Sequence, residues 1–187
     1  TLTVAPLNDA PSATVQAVGA TEDTDQTITL AGTDPESASL SFTITTLSAN
    51  GTLYQTADGS TRGAAITAID TVVTDSSGRV IFAPDADFNG IDSFTYTVSD
   101  GQGGTDTQTV SVTVTPVEDG PEAVDAAVST DEDVGVTVYP SFPGTDPDGD
   151  DVFISAYSQG AHGSVAPDLE GGLTYTPDPD YNGNDTF

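Results

Sequence analysis

Apolar and polar residues alternate along most of this chain in short runs, and no run repeats at the helical interval of 3.6. The runs in the first part are Ala13–Val18, Gln26–Ala31, Ser39–Thr46, Thr52–Gln55, Arg79–Ala83, Ser93–Ser99 and Thr105–Thr115. Their period of two and their Thr and Val content predict seven strands and almost no helix. Alternation sends Phe42, Ile44, Phe82, Phe88, Phe94 and Tyr96 to the buried face. The stretch SDGQGGTD (99–106) reads as a glycine hairpin between the last two strands. Seven short strands in about 100 residues point to an all-β, Greek-key, immunoglobulin-like sandwich. Thr-x-Thr runs are read as the solvent faces of these strands.

The chain then repeats itself. LNDAP (7–11) returns as VEDGP (117–121), GTDPE (32–36) as GTDPD (144–148), and ANGTL (49–53) as AHGSV (161–165). The longest match joins PDADFNGIDSF (84–94) to PDPDYNGNDTF (177–187). The offset is 110 between Asp9 and Asp119, 112 between Asp34 and Asp146, and 93 between Asp85 and Asp178, so the first repeat carries an insertion at about 54–77. Three segments are expected: 1–7 as the last strand of a preceding repeat, 8–117 as a complete repeat, and 118–187 as a second repeat cut before its last two strands. The proline-bounded linkers PLNDAP and PVEDGP predict stiff coupling of successive repeats.

Charge narrows the function. With 2 basic against 30 acidic residues the net charge is −28, and Arg62 and Arg79 are the only cationic side chains besides His162. Phosphate binding needs Lys and Arg, so nucleic-acid partners and direct contact with anionic membranes are excluded. The absence of cysteine leaves a chain of this size without disulfides, and a metal is the obvious substitute staple. No apolar run is long enough to span a membrane, and the start has no signal-peptide pattern, so a secretion signal is expected outside this window.

The acids fall in clusters. In an up-and-down count of the strands, Glu22 and Asp23 share one end of the first repeat with Asp85, Asp87, Asn89 and Asp92. Glu118 and Asp119 form the linker, and Asp146, Asp148, Asp150 and Asp151 occupy the facing loop of the second repeat. The expectation is that these three groups meet at one junction. Asp9, Asp34 and Glu36, beside Asn8 and Asp100, form a sparser version at the other end of the first repeat. Carboxylates about 4 Å apart repel by roughly 4 kcal/mol at an effective dielectric of about 20. A hard cation with six to eight oxygen ligands removes that conflict, and Ca²⁺ is the cation such loops suit. DADFNGID opens with D-x-D-x-N-G, and DPDGD has D-x-D-x-D spacing. Isolated acids such as Asp58, Asp70 and Asp75 read as turn residues.

The combination NDAP, EDT, TDPDGD, PDADFNGIDSFTYTVSDGQGG and VTVTPVEDGP resembles the cadherin-like tandem repeats of giant bacterial RTX-type surface adhesins. The resemblance implies tandem cadherin-like sandwiches stiffened by calcium. They would act as extenders in adhesion and biofilm at the bacterial cell surface, with neighbouring repeats of the same chain as partners. DPESAS (34–39) and the insertion depart from the pattern.

Catalysis has no foothold. Without lysine there is no P-loop or Schiff base, and one histidine cannot build a zinc HExxH site; His162 stands in a turn where the first repeat has Asn50. The acids recur at repeat spacing without a tryptophan platform, so a glycosidase is not expected. Two alternatives to a spacer remain open at this point. One is a filament subunit that exchanges strands between incomplete repeats; the other is a ligand-binding module that uses the 54–77 insertion.

Overall fold

A computed structural model describes residues 2, 7–37, 39–121, 125–139, 146–148 and 150–187. The expected leading strand at 1–5 lies outside the described residues, Leu2 excepted. The chain divides into two compact units, Thr1–Val117 and Glu118–Phe187. The described residues form strands and turns, with no helix among them.

The first unit carries β1 (Ser12–Ala13), β2 (Gln16–Thr21), β3 (Gln26–Thr29), β4 (Gly32–Thr33), β5 (Ser41–Thr46), β6 (Gly51–Gln55), β7 (Ala65–Ile66), β8 (Thr71–Val72), β9 (Arg79–Pro84), β10 (Gly90–Ser99) and β11 (Thr105–Thr115). They build a five-stranded sheet ordered β2-β11-β10-β5-β8, a four-stranded sheet ordered β3-β9-β6-β7, and a β1-β4 pair. Alternation fills the space between the two larger sheets. Ile44, Phe82, Phe94, Tyr96, Val98, Val110 and Val112 are buried, and Phe42 and Phe88 pack partly buried against them. Burying one such aromatic or branched side chain stabilises the fold by roughly 1.5–3 kcal/mol.

Two local features depart from the pattern-based reading. The first predicted strand is broken at Thr14–Val15: β1 pairs antiparallel with β4, whereas β2 pairs parallel with β11. The Tyr96 hydroxyl holds the crossing. It accepts the Thr14 N–H at 3.1 Å and lies 2.6 Å from the carbonyl oxygens of both Thr14 and Ala31, between which its single proton is shared. A buried phenol needs such partners, and here they pin the point where the chain changes sheets.

The 54–77 insertion is likewise folded into the sandwich. β7 extends the smaller sheet beside β6, and β8 extends the larger sheet beside β5, while Ile66 and Val73 enter the core. Both arginines serve this segment. Arg62 forks onto Asp25 and lies 4.9 Å from the Tyr54 ring centroid. Arg79 donates to the Asp58 carbonyl at 2.8 Å and to Asp75 Oδ2 at 2.7 Å.

The second unit has β12 (Val136–Val138), β13 (Gly163–Pro167) and β14 (Leu173–Pro177) in one sheet ordered β12-β14-β13. That is the internal order of β3-β9-β6 in the first unit. Val165, Leu173 and Tyr175 form its core, with Val136 and Ile154 against them. One glycine is required twice by the same contact. A Cβ on Gly51 would stand 2.5 Å from the Phe82 ring, and one on Gly163 would stand 2.5 Å from the Tyr175 ring.

Candidate metal centre

Two loops build one end of the first unit. The β2–β3 turn is closed by Thr24 N–H to the Thr21 carbonyl at 3.3 Å, with Asp23 at φ 56°. The β9–β10 loop is anchored by Asp85 N–H to the Asn50 carbonyl at 3.0 Å and closed by Phe88 N–H to the Asp85 carbonyl at 3.2 Å, with Asp87 at φ 58°. Left-handed backbone is disfavoured for residues other than glycine, though Asp and Asn tolerate it best. These turns bring a carboxylate oxygen of Asp23 within 4.8 Å of one of Asp87. At that distance the repulsion is about 1 kcal/mol in bulk water and about 3.5 kcal/mol at an effective dielectric of 20.

Glu22, next to Asp23 at the end of β2, is only 1% exposed. One of its oxygens accepts the Val117 N–H, and the other, Oε2, is buried with no hydrogen-bond partner among the described residues. Neither arginine reaches it, since both are committed to the insertion. Asp85 and Asn89 are exposed on the neighbouring loop.

Asp92, also a sequence candidate, is used differently. Its two oxygens accept the Ser48 hydroxyl and the N–H groups of Ala49 (3.3 Å), Asn50 (2.9 Å) and Ser93 (2.7 Å). Burial pushes the carboxyl up, but these donors outweigh it and hold it below the ordinary value. Four donors fill a carboxylate's usual acceptor sites, so Asp92 is a clamp for the 48–50 turn. Asp185 repeats the clamp on Ala161, His162 and Thr186 and adds the Tyr175 hydroxyl, and its pKa falls to about 2, led by the His162 N–H. Alternation could have shown this, because Asp92 shares the inward face with Phe94 and Tyr96.

The other end of the first unit draws together Asn8, Asp9, Asp34, Glu36 and Asp100. Asp34 Oδ1 accepts the Glu36 N–H at 2.9 Å, while Asp34 Oδ2 is buried with no partner among the described residues. Glu36 Oε2 accepts the Asp9 N–H at 3.2 Å, and Asp100 Oδ2 accepts the Asn8 amide at 2.8 Å. The Asn8 amide, with the N–H groups of Gln102 and Gly104, holds the Asp100 carboxyl below its ordinary value.

The second unit reproduces this arrangement from its own residues. Asp146 is 5% exposed and its Oδ1 accepts the Asp148 N–H at 3.0 Å; Asp148 Oδ2 in turn accepts the Asp119 N–H at 2.8 Å. Asp9, Asp34 and Glu36 thus match Asp119, Asp146 and Asp148 bond for bond, so Glu36 in DPESAS fills the place of an aspartate. Glu118 and Asp150 are exposed. The turns at Asp133 (φ 64°) and Asp180 (φ 61°) copy those at Asp23 and Asp87, and the Asp180 N–H donates to Asp133 Oδ1 at 3.2 Å. Sequence reasoning did not single out Asp133 and Asp180 as site residues, although both stand at the repeat offsets of Asp23 and Asp87.

A family model described as bacterial cadherin-like domain matches residues 8–116. The chain belongs to the bacterial cadherin-like domain family. A second model, described as bacterial Ig domain, matches residues 118–187 of this cadherin-like chain. Among solved structures, it is similar to the human desmocollin-1 ectodomain at 14% identity over 96% of this chain and 33% of that one, with a TM-score of 0.46. Drosophila N-cadherin EC1-4 is similar at 15% identity over 95% and 43%, with a TM-score of 0.40. An endo-fucoidan hydrolase of glycoside hydrolase family 107 is similar at 18% identity over 95% and 27%, with a TM-score of 0.39. The chain spans less than half the length of each of these three. No curated protein matches the sequence.

Bacterial cadherin-like and Ig-like domains are typical adhesion or extender modules, generally non-catalytic and typically extracellular, and cadherin-like domains typically bind calcium. No helix among the described residues is long and apolar enough to cross a membrane. The donor set here fits that cation. It consists of hard oxygens, and it includes buried carboxylate oxygens of Glu22 and Asp34 that no donor among the described residues satisfies. Glu22, Asp23, Asp85, Asp87 and Asn89 would hold an ion at one end of the first unit, and Asp9, Asp34, Glu36 and Asp100 at the other. Asp119, Asp146 and Asp148, with Glu118 and Asp150, would do so in the second. Bound there, calcium would supply the positive charge that two arginines cannot.

Proposed function

We propose that this chain is a run of calcium-rigidified, non-catalytic extender repeats from a large bacterial surface adhesin of the RTX type, serving cell adhesion and biofilm formation. Its direct partners are then neighbouring repeats of the same polypeptide, and its place is outside the cell. One observation carries the reading: a 1%-exposed glutamate, one of whose oxygens has no hydrogen-bond partner among the described residues, stands next to Asp23, which crowds Asp87, in a chain of net charge −28. Leaving such a group unpaired costs several kcal/mol, which a protein stable by roughly 5–15 kcal/mol tolerates only if something compensates. The alternative of a ligand-binding insertion is disfavoured because β7, β8 and both arginines tie that segment into the sandwich.

Thermal melting in chelator and at millimolar calcium tests the proposal. The expected result is a rise in melting temperature with calcium that chelator reverses. Replacing Asp148 and Asp150 together by alanine should blunt the part of the rise that belongs to the second unit. A melting curve indifferent to calcium would remove the basis for the calcium reading.

A further inference from the structure

We propose that Asn89–Gly90, in the β9–β10 loop of the first unit, is a deamidation site at which an ageing chain gains a carboxylate. Asparagine followed by glycine is the pair most open to this reaction, because glycine has no Cβ to keep its nitrogen away from the asparagine side chain. The step needs only water. The Gly90 nitrogen, having given its proton to solvent, bonds to Cγ of Asn89, the Cγ–Nδ2 bond breaks, and Nδ2 leaves as ammonia. Water then opens the resulting succinimide at either carbonyl. One opening leaves aspartate at position 89; the other leaves isoaspartate, whose main chain runs through the side-chain carbons. Both products carry one new negative charge. Closing the ring requires the Asn–Gly peptide to rotate, so contacts that fix the asparagine's main chain block it.

The chain holds this dipeptide three times, as Asn50–Gly51, Asn89–Gly90 and Asn182–Gly183. The fold treats the first two in opposite ways. Asn50 is fixed: its N–H donates to Asp92 Oδ2 at 2.9 Å, and its carbonyl accepts the Asp85 N–H at 3.0 Å. Gly51 starts β6 opposite Pro84, packed so closely that a Cβ on it would stand 2.5 Å from the Phe82 ring. Asn89 is exposed and lies outside the strands, and among the described residues it makes no hydrogen bond. Gly90 pairs with Val114 as the first residue of β10, and a Cβ built on it would meet only the Phe88 ring, at 3.6 Å. The end of a strand opens at little cost, whereas a turn clamped to the core opens only with its surroundings. Asn182–Gly183 is exposed at the matching place of the second unit.

The new charge falls where acids already crowd. Asn89 follows Asp87 by two positions in the same loop, and the Asp87 carboxylate comes within 4.8 Å of that of Asp23. Without cation, an aspartate at position 89 adds to that repulsion. With calcium, it offers an anionic oxygen where the amide offers a neutral one. This effect on calcium rests on the function proposed above; the modification itself does not.

Incubation of the full chain in chelator at mildly alkaline pH, followed by pepsin digestion and mass mapping over time, tests the site. In the folded protein Asn89 should deamidate at least about tenfold faster than Asn50, and in denaturant the two rates should agree within about twofold. An Asn89 that survives as long as Asn50 in the folded protein would overturn the proposal. So would a gap that persists unchanged in denaturant, since the fold would then not be its cause. The Asn89→Asp protein reads the effect on calcium separately: it should melt lower than wild type in chelator and gain more from millimolar calcium. A gain no larger than that of wild type would remove the effect on calcium and leave the deamidation site standing.

Discussion

Replacing Glu22 by glutamine changes one buried charge and little else, and its effect on stability should depend on calcium. The glutamine keeps an oxygen for the Val117 N–H and puts a neutral amide where Oε2 has no partner. Without cation, the wild-type protein bears the cost of an unpaired charge at 1% exposure. A buried unsatisfied polar group costs about 1–3 kcal/mol, and a charge more. In chelator the variant should therefore be more stable than wild type by about 1–3 kcal/mol, or roughly 4–8 °C in melting temperature per kcal/mol for a small domain. With calcium at about 100 times its dissociation constant, wild type gains about 2.7 kcal/mol and the variant, lacking one anionic ligand, gains much less. At about 10 mM calcium, about 10 to 100 times the ~0.1–1 mM dissociation constants of extracellular sites, the wild-type gain is about 1.4–2.7 kcal/mol, so the variant's advantage in chelator should shrink sharply. Calorimetry of both proteins in both conditions reads this directly. A variant less stable than wild type in chelator, or one with an undiminished calcium gain, would refute the reasoning.

Other expectations follow from the same structure. Asp92→Ala leaves the Ala49, Asn50 and Ser93 N–H groups without their acceptor and should cost about 2–4 kcal/mol by denaturant unfolding, with calcium affinity of the folded protein little changed. Tyr96→Phe removes the hydroxyl that joins Thr14 to Ala31; it should cost about 1–2 kcal/mol and speed hydrogen exchange at Thr14. Asp75, paired with Arg79, and Asp185 both have folded-state pKa values lowered to about 2, below the ordinary 3.8. Their stabilisation is therefore complete above about pH 5 and is lost as pH falls from about 4 to about 2, which acid titration followed by circular dichroism would show.

Much of this was legible in the chain. Alternation named Ile44, Phe82, Phe94 and Tyr96 as core because a half-buried strand must repeat every two residues. Repeat matching found the acidic loops. What escaped was set by tertiary partners. Nothing local in ATVQAV marks the break at Thr14–Val15, which depends on a tyrosine 82 residues away. AITAID and TVVTD are too short for alternation to declare β7 and β8. Asp92 sits among true loop acids in sequence, yet its register turns it inward, where it serves the backbone. Conversely, Glu22 gave no sign of its burial, since its charge argued for the surface.

The most direct measurement is calorimetric titration of the full chain with calcium, from chelator-stripped protein. The account predicts saturable binding at sub-millimolar to millimolar calcium, reduced in stoichiometry by Asp23→Asn with Asp87→Asn and, separately, by Asp146→Asn with Asp148→Asn. Titration to about 10 mM without saturable heat, and without any change in melting temperature, would contradict it.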